Sequence, residues 1–132
     1  MNYLLDSHTF LWALFTPEKL SRSAAQKIKS PENDAAVSVI TFWEISLKYA
    51  LGKLELKGIG PEELPGAALE MGLSILGVSP SDAASFHKLP RFAHKDPFDR
   101  FLIWQAIQQK MILISKDPEF KNYRKFGLKT HW

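Results

Sequence analysis

Short, mainly apolar runs recur along this chain and alternate with stretches of helical character. The clearest are NYLL at 2–5, AVSV at 36–39 and MILIS at 111–115. A strand that is apolar along its length must bury both faces, which is typical of a parallel sheet covered by helices on each side. The pattern therefore predicts an α/β fold of three layers, in which a central, mostly parallel sheet is flanked by helices.

Helices are predicted between these strands from apolar spacing and from start and stop residues. Thr41 and Glu44 have the spacing of a capping box, and Pro97 suits a first helical position after Asp96. Further strands are predicted at 73–78 and within the tail 125–132, with loops at 57–66 and 91–95. The predicted helices cover residues 7–15, 21–29, 41–54, 67–71, 81–88, 96–110 and 117–123.

Composition limits the possible architectures and chemistries. A chain of 132 residues with 45% hydrophobic content predicts a single domain over residues 1–132. No run is long enough to span a membrane, and Asp6 interrupts the apolar start, so a soluble, cytoplasmic protein is expected. The absence of cysteine excludes disulfides, thiolate zinc sites and a cysteine nucleophile. A net charge of +3 weakly favours an anionic partner.

Four acidic residues follow predicted strands or begin predicted helices. Asp6 directly follows the first strand, and Asp117 comes two residues after MILIS. Glu44 and Asp99 lie near the starts of the helices at 41–54 and 96–110. Because the carboxyl ends of parallel strands share one edge of the sheet, all four carboxylates are expected at that edge.

Each of these acids has a purely structural explanation. A carboxylate at a helix N-terminus accepts free amide hydrogens, which stabilises the helix by roughly 0.5–2 kcal/mol. This explanation is weakest for Asp6, since Ser7 could cap the same helix. It is strong for Asp96, which precedes Pro97 and leaves Asp99 free to face a ligand.

The four acids together are harder to explain as caps. Two unit charges about 4 Å apart repel by roughly 4 kcal/mol at an effective dielectric near 20. A bound cation removes this repulsion, and an all-oxygen ligand set suits Mg²⁺ or Mn²⁺. Such an ion can bind a phosphate oxygen and lower the pKa of water, which points to phosphodiester hydrolysis.

Four segments resemble the PIN domains of VapC-type toxins from prokaryotic toxin–antitoxin systems. They occur in the order of that family and span nearly the whole chain. The segments are YLLDSHTFLW at 3–12, TFWEISLKYALGKL at 41–54, HKDPFDRFLIWQA at 94–106 and LISKDPEF at 113–120.

The resemblance implies a PIN-like fold and the toxin component of a type II toxin–antitoxin system. It implies a Mg²⁺- or Mn²⁺-dependent endoribonuclease that acts as a homodimer and is inhibited by a VapB-like antitoxin. The implied catalytic and metal-binding residues are Asp6, Glu44, Asp99 and Asp117. Ser7, Ser115 and Arg100 are further candidates for orienting a carboxylate or contacting the substrate.

Two other functions remain open from the residues. A phosphatase of the haloacid dehalogenase kind would need a second aspartate two positions after Asp6, where this chain has His8. A non-catalytic module that binds nucleic acid or a partner would use the acids only as helix caps. His94 and Lys116 could neutralise RNA phosphates, although a solvated charge at the rim is the simpler interpretation of both. The tryptophans of the apolar helices are expected to pack in the core or in a dimer.

Overall fold

The computed structural model describes residues 1–92 and 94–132; Ala93, within the predicted loop 91–95, lies outside the described residues. Five strands form one sheet in the order β3-β2-β1-β4-β5, and each neighbouring pair is parallel. The predicted α/β architecture is confirmed. The strands are β1 (Asn2–Leu5), β2 (Asp34–Ser38), β3 (Ser74–Leu76), β4 (Ile112–Ile114) and β5 (Lys129–His131).

The central strand shows why the strand sequences are apolar throughout. Leu4 contributes to one buried cluster together with Leu102. Tyr3 and Leu5 contribute to a second cluster, which includes Phe10. Successive side chains of a strand point to opposite faces, so β1 must supply apolar side chains to two cores at once.

The α-helices flank this sheet, and four 3₁₀ segments also occur in the described residues. Within that part of the chain, no helix is both long and apolar enough to cross a membrane. The helices are α1 (Ser7–Phe15), α2 (Arg22–Lys29), α3 (Val39–Ala50), α4 (Leu64–Glu70), α5 (Pro80–Ser85) and α6 (Pro97–Gln108). The 3₁₀ segments are Pro17–Lys19, Pro61–Glu63, Phe86–Lys88 and Pro118–Phe126.

The start of α3 differs from the sequence prediction. Ser38, the last residue of β2, caps the helix by accepting a hydrogen bond from the amide of Ile40 at 3.0 Å. The proposed capping box of Thr41 and Glu44 is therefore wrong, and Glu44 lies in the second turn of the helix. The prediction failed because serine at a strand end is as good a cap as threonine three residues later.

Candidate active site

Asp6 is buried at the carboxyl end of the central strand. Its Oδ1 accepts a hydrogen bond from the amide of Thr9 at 2.8 Å, so Asp6 is the N-cap of α1. Burial raises its pKa above the ordinary value, although hydrogen bonds from Ser115 and Thr9 partly oppose the rise. Only one of the two carboxylate oxygens is needed for the cap. The other does not take part in the cap.

Ser7 does not cap α1, contrary to the possibility considered from the sequence. Its hydroxyl donates to Oε1 of Glu44 at 2.6 Å and lies 3.1 Å from the hydroxyl of Thr41. All three residues are buried. Ser7 therefore joins the start of α1 to α3 and orients the Glu44 carboxylate.

Asp117 lies beyond the end of β4 and caps the following 3₁₀ segment. Its Oδ1 accepts from the amide of Glu119 at 2.9 Å, while its own amide donates to Oγ of Ser115 at 3.1 Å. The side chain of Ser115 also lowers the pKa of Asp6. The Ser115 hydroxyl thus acts on both acids.

Asp6 and Asp117 line the same cavity, which has a volume of about 380 Å³. The cavity lies beyond the carboxyl ends of β1 and β4, where the strand order of the sheet reverses direction. Ligands of open parallel sheets bind at this position. His8, Trp12 and Lys116 complete most of the lining.

Glu44 lines an adjacent cavity and is paired with a cation of the chain itself. Its Oε2 lies 2.6 Å from Nζ of Lys48, one helical turn away. Partial burial lowers the pKa of Lys48, but the hydrogen bond to Glu44 and the charges of Glu44, Asp96 and Asp99 outweigh that effect, so the pKa is raised. His8 lines both cavities and marks their common border.

Asp99 lies in the first turn of α6, and its pKa is raised. Burial raises its pKa from 3.8 to about 6, and the negative charges of Asp96 and Glu44 add to the rise. Asp96 is the N-cap, as predicted, because its Oδ1 accepts from the amides of Phe98 and Asp99. Asp99 therefore does not cap the helix, and the negative charge of Glu44 acts on it.

These features fit a bound divalent cation. Asp6 is buried with a raised pKa, and the charge of Asp99 is disfavoured partly by other acids. A cation would stabilise the ionised form of both groups, and the carboxylate donor set suits a hard ion. The geometry thus brings Asp6 and Asp117 to one cavity and couples Asp99 electrostatically to Glu44.

Three basic residues near the site occupy different environments. Arg100 is buried and donates to the backbone carbonyls of Pro90 and Leu89, so its contacts favour support of that loop over contact with RNA. Lys116 is exposed and lines the Asp6 cavity, as expected for a rim charge. His94 is buried, so its interpretation as a solvated rim charge is wrong.

Sequence reasoning missed His94 and Glu119 as members of the acidic cluster. His94 Nε2 lies 3.0 Å from Oδ2 of Asp99, and its Nδ1 lies 3.6 Å from Oε2 of Glu119. The histidine precedes α6 and has no helical spacing to Asp99, so periodicity could not reveal the pair. Glu44 and Lys48 did have a readable signal, since charges four residues apart meet on a helix.

Known proteins are similar to this chain in sequence and in fold. The sequence model of the PIN domain matches residues 3–126, so the chain belongs to the PIN domain family. A curated relative, Ribonuclease VapC22 of Mycobacterium tuberculosis, is 29% identical over 133 residues and covers 98% of this chain and 97% of the relative.

Solved structures of the same fold include two VapBC structures. VapBC2 from Rickettsia felis, bound to a promoter DNA fragment, gives a TM-score of 0.67 at 18% identity and covers 99% of this chain and 98% of its own. VapBC-1 from nontypeable Haemophilus influenzae gives a TM-score of 0.64 at 17% identity, with 99% and 97% covered. At these identities the similarity establishes the fold.

Proposed function

We propose that this protein is the toxin of a type II toxin–antitoxin system and a metal-dependent endoribonuclease. The carrying observation is the cavity at the reversal point of the sheet, lined by the buried Asp6 and by Asp117, in a chain of the PIN family. The relative named a ribonuclease supports the reaction class. The VapBC complexes among the structural neighbours support a VapB-like antitoxin as partner.

Asp6, Asp99, Asp117 and Glu44 are the proposed catalytic and metal-binding residues, with Mg²⁺ or Mn²⁺ as the ion. When bound, the ion would polarise a phosphate oxygen and lower the pKa of water, which is the chemistry that phosphodiester hydrolysis needs. Ser115 holds the loop that carries Asp117, and Ser7 orients Glu44. Lys48 neutralises Glu44 from the outer side.

The capping explanation accounts for only part of this arrangement. Asp6 and Asp117 do cap helical segments. Glu44 lies in the second turn of α3 and Asp99 leaves capping to Asp96, so neither is explained by a module that uses acids only as caps. Membership of the PIN family also argues against the haloacid dehalogenase alternative.

Three further proposals concern the site of action, the domain organisation and the oligomeric state. A ribonuclease toxin acts on cellular RNA, which places the proposed site of action in the cytoplasm. Residues 1–132 are proposed to form a single domain, supported by strands from Asn2 to His131 that pair in one sheet. A homodimer is supported by an exposed apolar stripe along α3 and its C-cap residue, formed by Val39, Trp43, Leu47 and Leu51.

The test is cleavage of a cellular RNA pool by the purified protein. Discrete products are expected with Mg²⁺ or Mn²⁺ and not with EDTA. Asp6→Asn and Asp99→Asn are each expected to slow cleavage by about 100-fold or more, since losing several kcal/mol of transition-state stabilisation has that effect.

Asp34→Asn is the matched control. Asp34 is an exposed aspartate at the amino end of β2, on the opposite edge of the sheet, and should leave cleavage unchanged. Cleavage that survives both chelation and the two site substitutions would reject the proposed function.

A further inference from the structure

The ring of His94 is held in one orientation inside the protein. Its side chain is only 6% exposed. The ring stacks on Phe120, with centroids 5.1 Å apart and an interplanar angle of 20°, and its centroid lies 6.4 Å from that of Tyr123. A buried imidazole in this position must satisfy both ring nitrogens locally.

Asp99 satisfies one of these nitrogens and thereby determines the state of the other. The ionised Asp99 carboxylate can only accept, so Nε2 of His94, which lies 3.0 Å from Oδ2 of Asp99, carries the hydrogen. In the neutral ring, Nδ1 then carries a lone pair. Among the described residues this buried nitrogen has no hydrogen-bond partner.

One acidic side chain lies close to Nδ1, and a second belongs to the same cluster. Oε2 of Glu119 lies 3.6 Å from Nδ1, which is too long for a hydrogen bond. Ligand atoms of His94, Asp117 and Glu119 all lie within 4.8 Å of one another. With bonds of about 2.0–2.2 Å, two ligands of one tetrahedral ion lie about 3.3–3.6 Å apart, which is the separation of Nδ1 and the glutamate oxygen.

We propose that His94, Asp117 and Glu119 form a binding site for a transition metal ion of the Zn²⁺ and Co²⁺ class. An imidazole nitrogen favours such ions over Mg²⁺, which prefers oxygen ligands. Asp99 acts as the outer carboxylate that orients the histidine, an arrangement common around metal-bound histidines. This site differs from the all-oxygen set of the proposed ribonuclease in its nitrogen ligand.

The position of Asp117 connects the two sites. Its carboxylate belongs to the histidine cluster, and the residue also lines the cavity that contains Asp6. A transition metal ion at His94 would therefore add positive charge beside the proposed cleavage site. The binding itself does not depend on whether the chain cleaves RNA.

A proton on Nδ1 is the competing occupant of the gap. Protonated His94 would form an ion pair with Glu119, whose side chain is 62% exposed. If the gap is a metal site, added Zn²⁺ should bind there; if it holds only a proton, added Zn²⁺ should not bind. Calorimetry distinguishes these two outcomes.

The experiment is calorimetric titration of the whole protein with Zn²⁺ at neutral pH, in millimolar Mg²⁺ as a competitor for oxygen ligands. One Zn²⁺ equivalent is expected to bind. Glu119→Gln and His94→Gln should each weaken its affinity by about tenfold or more. Glu119 is exposed, so its variant tests the site without a folding defect.

His8→Gln and Asp6→Asn are the matched controls, because they remove another imidazole and another carboxylate from the same edge of the sheet. Both should keep the Zn²⁺ equivalent. The proposal is overturned if the wild type binds no Zn²⁺ in Mg²⁺, or if Glu119→Gln and His94→Gln bind it as the wild type does. Zn²⁺ binding without RNA cleavage would reject the proposed ribonuclease alone.

Discussion

Asp99 combines a partly buried carboxylate with two negative neighbours, which lowers the free energy of unfolding of the metal-free protein at neutral pH. Its pKa is raised from 3.8 to about 6, so the folded state holds the proton more tightly than the unfolded chain. The resulting stabilisation is complete below pH 3.8 and is lost as pH rises through about 6. In EDTA, Asp99→Asn should therefore become more stable relative to wild type between pH 4 and pH 7.5, by on the order of 2 kcal/mol.

Urea unfolding at several pH values measures this difference. Asn is nearly isosteric with Asp, and its carbonyl can still accept from His94. Glu55→Gln removes an exposed carboxyl and should show no comparable pH-dependent gain. A constant difference between Asp99→Asn and wild type across this range would contradict the raised pKa.

The chemistry of single residues was predictable where local spacing determines it. Asp96 before Pro97 predicted an N-cap, and the structure confirms it. The choice between Asp6 and Ser7 could not be made locally, since both residue types cap helices. That choice depends on Glu44 and Thr41, which come from another helix and compete for the Ser7 hydroxyl.

At the scale of elements, α3 has an apolar stripe on its exposed side. The stripe residues, Val39, Trp43, Leu47 and Leu51, are spaced four apart and so lie along one side of the helix. A two-fold axis would place this stripe against the same stripe of a second copy. Trp43→Glu and Leu47→Glu should convert the proposed dimer to a monomer in sedimentation equilibrium, because each buries a charge in the interface.

Leu69→Glu is the control for added charge. Leu69 on α4 is 58% exposed and Trp43 is 61% exposed, so the two substitutions have similar consequences for the monomer. Trp43 also packs edge-on against Phe98, and Leu47→Glu guards against an effect through that contact. Dimers in both α3 variants would exclude the stripe as the interface, and a monomeric wild type would refute the homodimer.

Element boundaries were predictable where a stop or start residue acts alone. The predicted helix 7–15 coincides with α1, and the tail strand is confirmed as β5. The helix predicted at 117–123 is instead the 3₁₀ segment Pro118–Phe126. Its proline start was predictable from the sequence. In a 3₁₀ turn, Phe120 and Tyr123, three residues apart, lie on the same side, and both are buried in the core.

At the scale of the whole molecule, divalent metal should stabilise the fold. A ligand at 100 times its dissociation constant adds about 2.7 kcal/mol to the free energy of unfolding. Millimolar Mg²⁺ or Mn²⁺ is therefore expected to raise the melting temperature of the wild type by several degrees. Asp6→Asn should reduce this gain, since it removes one proposed ligand.

Differential scanning calorimetry with and without EDTA makes the comparison. Asp34→Asn, at the opposite edge of the sheet, should keep the full gain. A melting temperature that does not respond to either ion would remove the physical basis of the clustered carboxylate site.

The parallel sheet was predictable from strands that are apolar along their length. The position of the acids at one edge was predictable from the parallel sheet. The cavity shared by Asp6 and Asp117 required the strand order, which brings β1 beside β4 across more than 100 residues of sequence. Such long-range pairing depends on the packing of the complete chain.

The pairing of β1 with β4 also has a consequence during translation. The amide of Asp6 and the hydroxyl of Thr9 both donate to the carbonyl of Ile114, at 3.2 and 3.0 Å. In a nascent chain, Asp6 is made more than 100 residues before Ile114 and Asp117. The ribosome that makes this protein therefore adds more than 100 residues after Asp6 before the two carboxylates can meet.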